Sequence, residues 1–218
     1  MIKNLIYENK EKKIEVFDVK DSMVRVLSVD GHAQGVSNMH DPSMPVSQYM
    51  WEMIDGVYRI PRGAKTALAI GGGACLIPTH LAKCFGIIST VLDTEPEMAS
   101  ISARYFGRAD EVEFLVEEGK YWFTTFGFMT TYDMIFLDAF VGINQDQWLY
   151  SVEGYKAIAE ALEPDGIFAM NTIELQLARG HHRKELEQVF EVISNEQIFA
   201  NNAVPMGNSV YLCKKKEK

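Results

Sequence analysis

The chain has 218 residues, a formal net charge of −9 and 47% hydrophobic residues. This composition suits one large globular domain, or one domain with a small appendage, and the acidic balance argues against a nucleic-acid surface. No apolar stretch approaches the roughly 20 residues that span a membrane. The three cysteines form no Cys-x-x-Cys pair, which argues against a disulfide framework and a zinc site and fits a reducing cytoplasm.

The first part of the chain predicts a small antiparallel β unit over residues 1–34. Apolar and polar residues alternate in KIEVFDV and MVRVLSV, and KDS between them suits a turn. GVSNMHDPSMP then has the composition of a loop, and VSQYMWEMIDGVY predicts a helix. We therefore expect two domains: a small N-terminal β unit with its connecting loop and helix over 1–55, and a Rossmann-like nucleoside-binding catalytic domain over 56–218.

From Lys65 onward, the sequence predicts alternating strands and helices. The strands are KTALAI, GIISTVLD, VEFLVE, YDMIFLDAF and GIFAMNT, and Ser151 is the expected N-cap of the helix SVEGYKAIAEAL. HHRKELEQVFEVI predicts an amphipathic helix, because its apolar residues are spaced i, i+3, i+4, i+7. EQIFAN and NSVYLC predict an antiparallel pair. Together these segments indicate an α/β sandwich of the Rossmann-like type, with a mostly parallel sheet.

Polar side chains follow most of these predicted strands. The first strand runs into Gly71, Gly72 and Gly73, and the later strand ends carry Asp93, Glu118 with Gly119, Asp138, and Asn171. In an open α/β sheet, ligands bind at the carboxyl ends of the strands. Any one of these acids could serve only as a helix cap, but the set behind a glycine turn predicts a site.

The pattern narrows the ligand to a nucleoside without phosphates. A dinucleotide fingerprint would need glycine at position 76, which is Leu76, and the chain has no Gly-Lys-Ser/Thr P-loop. An acidic edge would also repel a pyrophosphate. Asp93 lies 20 residues beyond Gly73, where a carboxylate can accept both hydroxyls of a ribose. A cationic sulfonium nucleoside of the S-adenosylmethionine type fits best.

Several segments resemble the successive motifs of the spermidine synthase (polyamine aminopropyltransferase) family. They are LSVDGHAQ, GGGACLIPTHLA, VLDTEPEM, VEEGKYWF, YDMIFLDAF and LEPDGIFAMNT, and the resemblance runs from about Val29 to Asn171. The resemblance implies a class I methyltransferase fold with an N-terminal β domain. It also implies that S-adenosylmethionine or its decarboxylated form is the donor substrate, that an amine or another small nucleophile is the acceptor, and that the enzyme serves polyamine biosynthesis. We further expect a cytoplasmic homodimer without nucleic-acid, membrane or metal partners.

The resemblance also assigns roles to individual residues. The donor's tail would pass the backbone of Gly71, Gly72 and Gly73, and Asp93 would accept the ribose hydroxyls. Glu118 would bind the adenine amino group, with Gly119 allowing close approach. Asp138 would receive a proton from the attacking amine. Gln34 and, more weakly matched, Tyr49 would place the transferred or accepting group.

The sequence departs from the family pattern at two positions. In the family, the sequence of this loop is Gly-Gly-Gly-Asp-Gly, whereas Ala74 and Cys75 follow Gly73 here. The free ammonium of the decarboxylated donor therefore loses its acidic partner. Val141 replaces the second acid of the fourth-strand motif, which weakens the case for putrescine. Three hypotheses remain open: an aminopropyltransferase-like enzyme, a methyltransferase that uses ordinary S-adenosylmethionine, and a non-catalytic nucleoside-binding protein.

Overall fold

The computed structural model describes residues 3–127, 129–141, 144–175, 181–198 and 206–216. These residues form a four-stranded sheet, a seven-stranded sheet, a two-stranded ribbon and six α-helices. The strands are β1 Lys3–Asn9, β2 Ile14–Val19, β3 Val24–Val29, β4 His32–Asn38, β5 Thr66–Ile70, β6 Ile88–Asp93, β7 Val112–Val116, β8 Tyr132–Leu137, β9 Phe140–Val141, β10 Asn144–Gln145, β11 Leu162–Leu175, β12 Phe190–Ile198 and β13 Met206–Lys215. The helices are α1 Gln48–Ile54, α2 Leu76–Phe85, α3 Glu97–Phe106, α4 Gly119–Thr125, α5 Val152–Glu160 and α6 His181–Leu186.

The small sheet is an antiparallel meander in the order β1-β2-β3-β4. Its last hairpin turns at Asp30 and Gly31, both with positive φ, which is the geometry of a two-residue hairpin turn and suits an Asp-Gly pair. The predicted loop over 35–45 is wrong at its beginning, because β4 continues to Asn38. Gly35 lies inside this strand, where the absence of a side chain lets β4 approach Ala74 closely, as described below.

The large sheet has the order β12-β13-β11-β8-β5-β6-β7. All neighbouring pairs from β11 to β7 are parallel, and β13 runs antiparallel between β11 and β12. The strand order reverses at β5, which has β8 on one side and β6 on the other. The carboxyl end of β5 is therefore the place where a doubly wound sheet binds its ligand.

Two apolar clusters cover the two faces of the large sheet. Ala67 and Ala69 of β5 face the cluster that includes α1, α2 and α3, whereas Leu68 and Ile70 face the cluster that includes α4 and α5. A parallel strand buried on both faces must be apolar at successive positions, and TALAI meets that requirement. The predicted α/β sandwich with a small N-terminal β unit is confirmed. The division after residue 55 stays a prediction, although α1 packs on β11 and β13 of the large sheet.

The predicted helix over 181–193 is wrong beyond Leu186. The helix ends there, and Phe190 begins strand β12, which pairs with β13. Ile193 is an extra residue in that pairing, because Val192 lies opposite Cys213 and Ser194 lies opposite Leu212. Val192 and Ile193 face different cores, as successive residues of a strand do. The helix-like apolar spacing therefore runs across a helix end, a turn and a strand, from Leu186 through Val189 to Phe190 and Ile193.

Other local expectations are confirmed. The Ser151 hydroxyl accepts a hydrogen bond from the amide of Gly154 at 3.2 Å and caps α5. β12 and β13 form the expected antiparallel pair. Within the described ranges, none of the helices is both long and apolar enough to cross a bilayer.

Candidate active site

A cavity of about 520 Å³ lies between the carboxyl ends of the large sheet and the small N-terminal sheet. This volume falls in the usual range for small-molecule sites. The cavity gathers seven of the nine residues predicted from the sequence, although they come from distant parts of the chain. Those seven are Gln34, Tyr49, Gly71, Gly72, Gly73, Asp93 and Asp138.

The glycine loop after β5 has no room for side chains on its inner side. Gly71 has a φ of +90°, and a Cβ there would overlap the backbone carbonyl of Asp138. A Cβ on Gly72 would lie 2.7 Å from Cγ1 of Val91. The glycines therefore let the loop lie directly against β8, which brings the predicted donor site beside Asp138.

The Asp93 carboxylate is held by three backbone amides. Its Oδ2 accepts hydrogen bonds from the amides of Gly72 at 2.8 Å and Gly73 at 3.1 Å, and Oδ1 accepts one from the amide of Glu95 at 2.9 Å. An ionised carboxylate offers about four acceptor positions, so it retains capacity for a hydroxyl donor. The position at the end of β6 and the lining of the cavity fit the predicted ribose role.

Asp138 follows β8 and receives two neutral hydrogen-bond donors. The Asn171 Nδ2 donates to Oδ1 at 2.7 Å, and the Tyr49 hydroxyl donates to Oδ2 at 3.1 Å. Loss of solvent raises the pKa of Asp138 above its usual value, and these two hydrogen bonds only partly oppose the rise. The same desolvation, together with the Asp138 charge, holds the pKa of Tyr49 well above 10, so Tyr49 remains a donor.

A chain of amides continues from Asp138 into the sheet. Asn208 of β13 donates from Nδ2 to Oδ1 of Asn171 at 2.9 Å, and the Tyr150 hydroxyl donates to the Asn171 backbone carbonyl at 2.8 Å. The bond from Asn208 fixes which end of the Asn171 amide points to Asp138. Sequence reasoning placed Asn171 at the strand end but missed Asn208, because only the tertiary fold places β13 beside β11.

Gln34 reaches the cavity from a β-bulge. Leu27 pairs with Gly35 and Ser28 pairs with Ala33, so Gln34 is the extra residue of β4. Next to it, a Cβ on Gly35 would lie 2.8 Å from the Cβ of Ala74, and Ala74 is only 3% exposed. The small sheet therefore lies directly on the glycine loop, and Gly35 makes that approach possible.

Glu118 and Gly119 lie outside the lining of the cavity. Glu118 is exposed and precedes α4, whose first residue is Gly119. A Cβ on Gly119 would meet the Leu149 side chain at 3.1 Å, so this glycine serves close helix packing. The backbone nevertheless places both beside Asp93, because Val116 at the end of β7 pairs with Asp93. The adenine role of Glu118 stays a prediction.

Lys12 is a cavity residue that sequence reasoning did not single out. Its Nζ lies 2.5 Å from Oε1 of Glu95 and 3.5 Å from Oε2 of Glu97, and Asn9 also donates to Glu97. These contacts tie the hairpin between β1 and β2 to the beginning of α3. Partial burial raises the pKa of Glu95, but the bonds from Lys12 and the amide of Glu97 outweigh it, and the net pKa is lowered.

The arrangement supplies two chemically different ends to one cavity. One end has the glycine loop, Asp93 with its backbone amides, and the Lys12–Glu95 ion pair. The other has Asp138 with neutral donors only. Over the part of the chain that the structure covers, no three His, Cys, Asp or Glu side chains come together as a metal site. The prediction of a metal-free site is not tested by this observation.

No protein-family model and no curated protein match the sequence. The structure, however, is similar to a probable spermidine synthase from Corynebacterium glutamicum, with a TM-score of 0.80 and 22% identity over 100% of this chain and 82% of that one. The spermidine synthase from Thermotoga maritima has a TM-score of 0.73 and 18% identity, over 98% of this chain and 74% of that one. Human methyltransferase-like protein 13, in complex with SAH, has a TM-score of 0.62 and 15% identity, over 78% of this chain and 80% of that one. The chain has the fold of these proteins.

Proposed function

We propose that the chain is a spermidine synthase-like transferase. It binds a sulfonium donor of the S-adenosylmethionine type and transfers an alkyl group, the aminopropyl group, to an amine. One observation carries the proposal: the carboxylate of Asp138, with neutral partners only, lies in the same cavity as the glycine loop and Asp93. A fold similar to that of two spermidine synthases supports it.

The chemistry follows from this placement. The amine binds as an ammonium beside Asp138 and must lose a proton before its nitrogen can attack. The nitrogen lone pair then attacks the carbon next to the sulfonium, and the carbon–sulfur bond breaks with its electron pair going to sulfur. Asp138 accepts or relays the proton. Because the sulfonium is already an activated leaving group, the main contribution of the protein is to position the two reactants in line.

A methyltransferase that uses ordinary S-adenosylmethionine is the second candidate. Ala74 favours it, because this position in the glycine loop carries no acid to bind the free ammonium of the decarboxylated donor. The fold of a human methyltransferase-like protein solved in complex with SAH is also similar. In that case, a methyl group rather than an aminopropyl group reaches the acceptor.

Product analysis separates these candidates. The purified chain is incubated with S-adenosylmethionine or with its decarboxylated form and a panel of amines, and the products are identified by mass spectrometry. A mass increase of one aminopropyl group supports the proposal, and a methyl increase supports the second candidate. Donor binding without any transfer would leave a nucleoside-binding protein and contradict both.

Calorimetry tests the donor site independently. Methylthioadenosine or S-adenosylmethionine should bind, and Asp93→Ala should weaken binding at least tenfold, which is about 1.4 kcal/mol. Glu113→Ala is the matched control, since Glu113 is an exposed acid on β7 outside the cavity. Equal affinities in wild type and Asp93→Ala would remove Asp93 from the donor site.

A further inference from the structure

The acceptor end of the cavity contains one carboxylate among apolar and amide side chains and the hydroxyl of Tyr49. Starting at Asp138, the lining residues that the chain geometry places nearby are Phe140, Asn171, Ile173 and Asn208. Phe140 lies two residues after Asp138. Ile173 lies two residues after Asn171 on the same face of β11 and pairs with Asn208. None of these four carries a charge.

The other acids of the lining are already engaged. Asp93 accepts three backbone amides, and Glu95 is paired with Lys12, which is the one Lys or Arg among the lining residues that the structure describes. Glu174 follows Ile173 but belongs to the opposite face of β11, where Ser209 and Tyr211 donate to its carboxylate. It is outside the lining of the cavity.

Among the described residues, the lining of the cavity holds no acid besides Asp138, Asp93 and Glu95. Outside the described ranges, residues 1–2, 128, 142–143, 176–180 and 199–205 contain no Asp or Glu, and Glu217 is the one acid of residues 217–218. A second ammonium would therefore have to rest against Phe140, Ile173 or the Asn208 amide. Successive residues on one face of a strand are about 7 Å apart, which is within reach of a short alkyl chain anchored at Asp138. A charge buried without a partner is strongly unfavourable.

We infer that the acceptor is a monoamine with an apolar body rather than a diamine. Its single ammonium binds at Asp138, and its alkyl or aromatic body lies against Phe140 and Ile173. The inference rests on the proposed function, since it names the acceptor of that reaction. Transfer forms one carbon–nitrogen bond and breaks the carbon–sulfur bond of the donor. The sulfur keeps the electron pair, and the ammonium proton goes to Asp138 and then to solvent.

The test compares two amines of equal length, pentylamine and cadaverine, at constant ionic strength. Calorimetry measures their binding to the full chain, with and without methylthioadenosine. Pentylamine should bind at least tenfold more tightly than cadaverine. Equal or tighter binding of cadaverine overturns the inference, and so does failure of both amines to bind.

A pair of variants checks the cause of the preference. Ile173→Glu supplies a second carboxylate and should shift the ratio toward cadaverine by at least tenfold, whereas Ile173→Gln, similar in size and neutral, should not. An equal shift in both variants would mean that charge is not the cause. Donor binding and product mass are measured separately, so a chain that binds pentylamine but transfers nothing disproves the proposed reaction, not the acceptor class.

Discussion

The amide of Asn171 donates to the carboxylate of Asp138 at 2.7 Å, and it is itself oriented by the amide of Asn208. Asp138 directly follows β8, and Asn171 comes directly after the last residue of β11 that pairs with β8, although β11 itself continues to Leu175. The bond therefore joins the predicted catalytic residue to the middle of the sheet. The rigidity of that sheet holds the carboxylate in one position, as a positioned proton acceptor requires.

Asp138→Asn should lower turnover by about 10²-fold or more, in the range for a lost general base. The variant keeps the shape of the side chain and removes its charge. Donor affinity should change little, because Asp93 and the glycine loop lie at the other end of the cavity. Steady-state kinetics and donor calorimetry measure the two effects. Near-normal turnover with a lowered melting temperature would instead assign Asp138 a structural role.

Activity should fall at acidic pH with a midpoint above the usual carboxyl range. Desolvation raises the pKa of Asp138, and the reaction needs the ionised form. Tyr49→Phe removes a hydrogen bond that lowers this pKa, so the acidic limb of kcat/KM should move to higher pH. Tyr58→Phe is the control, because Tyr58 is 74% exposed. An unmoved limb in Tyr49→Phe would show that another group titrates.

The donor preference should depend on Ala74. In the wild type, ordinary S-adenosylmethionine should bind at least as tightly as the decarboxylated form. Ala74→Asp restores an acidic partner for the free ammonium, which is worth about 1.5–3 kcal/mol, and should shift the ratio toward the decarboxylated donor by at least tenfold. Ala74→Asn, equal in size, should not. Competition calorimetry with both donors measures the ratios, and a wild type that prefers the decarboxylated donor contradicts this assignment.

Asp133 should stabilise the fold rather than serve the site. Its carboxylate accepts from the amides of Lys65 and Thr66 at 2.8 and 3.0 Å and lies 2.5 Å from Arg62. Burial raises its pKa, but these partners outweigh burial, and the net pKa is lowered below 3.8. A lowered pKa stabilises the folded state above the unfolded pKa, and this stability is lost as the pH falls through the folded pKa.

Asp133→Asn should therefore reduce the free energy of unfolding by about 2 kcal/mol at neutral pH. The difference from wild type should shrink in acid, and donor affinity should not change. Urea denaturation at several pH values measures this, with the exposed Asp165→Asn as control. A pH-independent loss of stability would assign the effect to packing instead.

The sequence predicted the part of the site that is carried by local chain geometry. A strand that runs into glycines, followed by predicted strands that lead to Asp93, Asp138 and Asn171, places those residues at one edge of the parallel part of the sheet whatever the details of packing. Asn171 is not the end of its strand, because β11 continues to Leu175 paired with β13. Glu118 also follows a predicted strand, yet its side chain is exposed. The end of a strand fixes where the backbone goes, but the following turn decides where the side chain points.

Site residues that are brought in by the pairing of distant strands could not be predicted from the local sequence pattern. Asn208 reaches Asn171 because β13 inserts antiparallel between β11 and β12, and nothing in the local pattern specifies that insertion. The predicted end of the C-terminal helix was wrong for a related reason. Leu186, at the end of α6, and Phe190 and Ile193, on opposite faces of β12, together have the apolar spacing of one helix.

The bulge at Gln34 also changes how β4 must be compared with other strands. A bulge uses one residue without advancing the pairing, so the residues before and after it follow opposite alternation. An alignment or a design that treats β4 as a regular strand would assign His32 and Ala33 to the wrong side. Sequence alternation in β4 is therefore meaningful only when it is counted separately from each end.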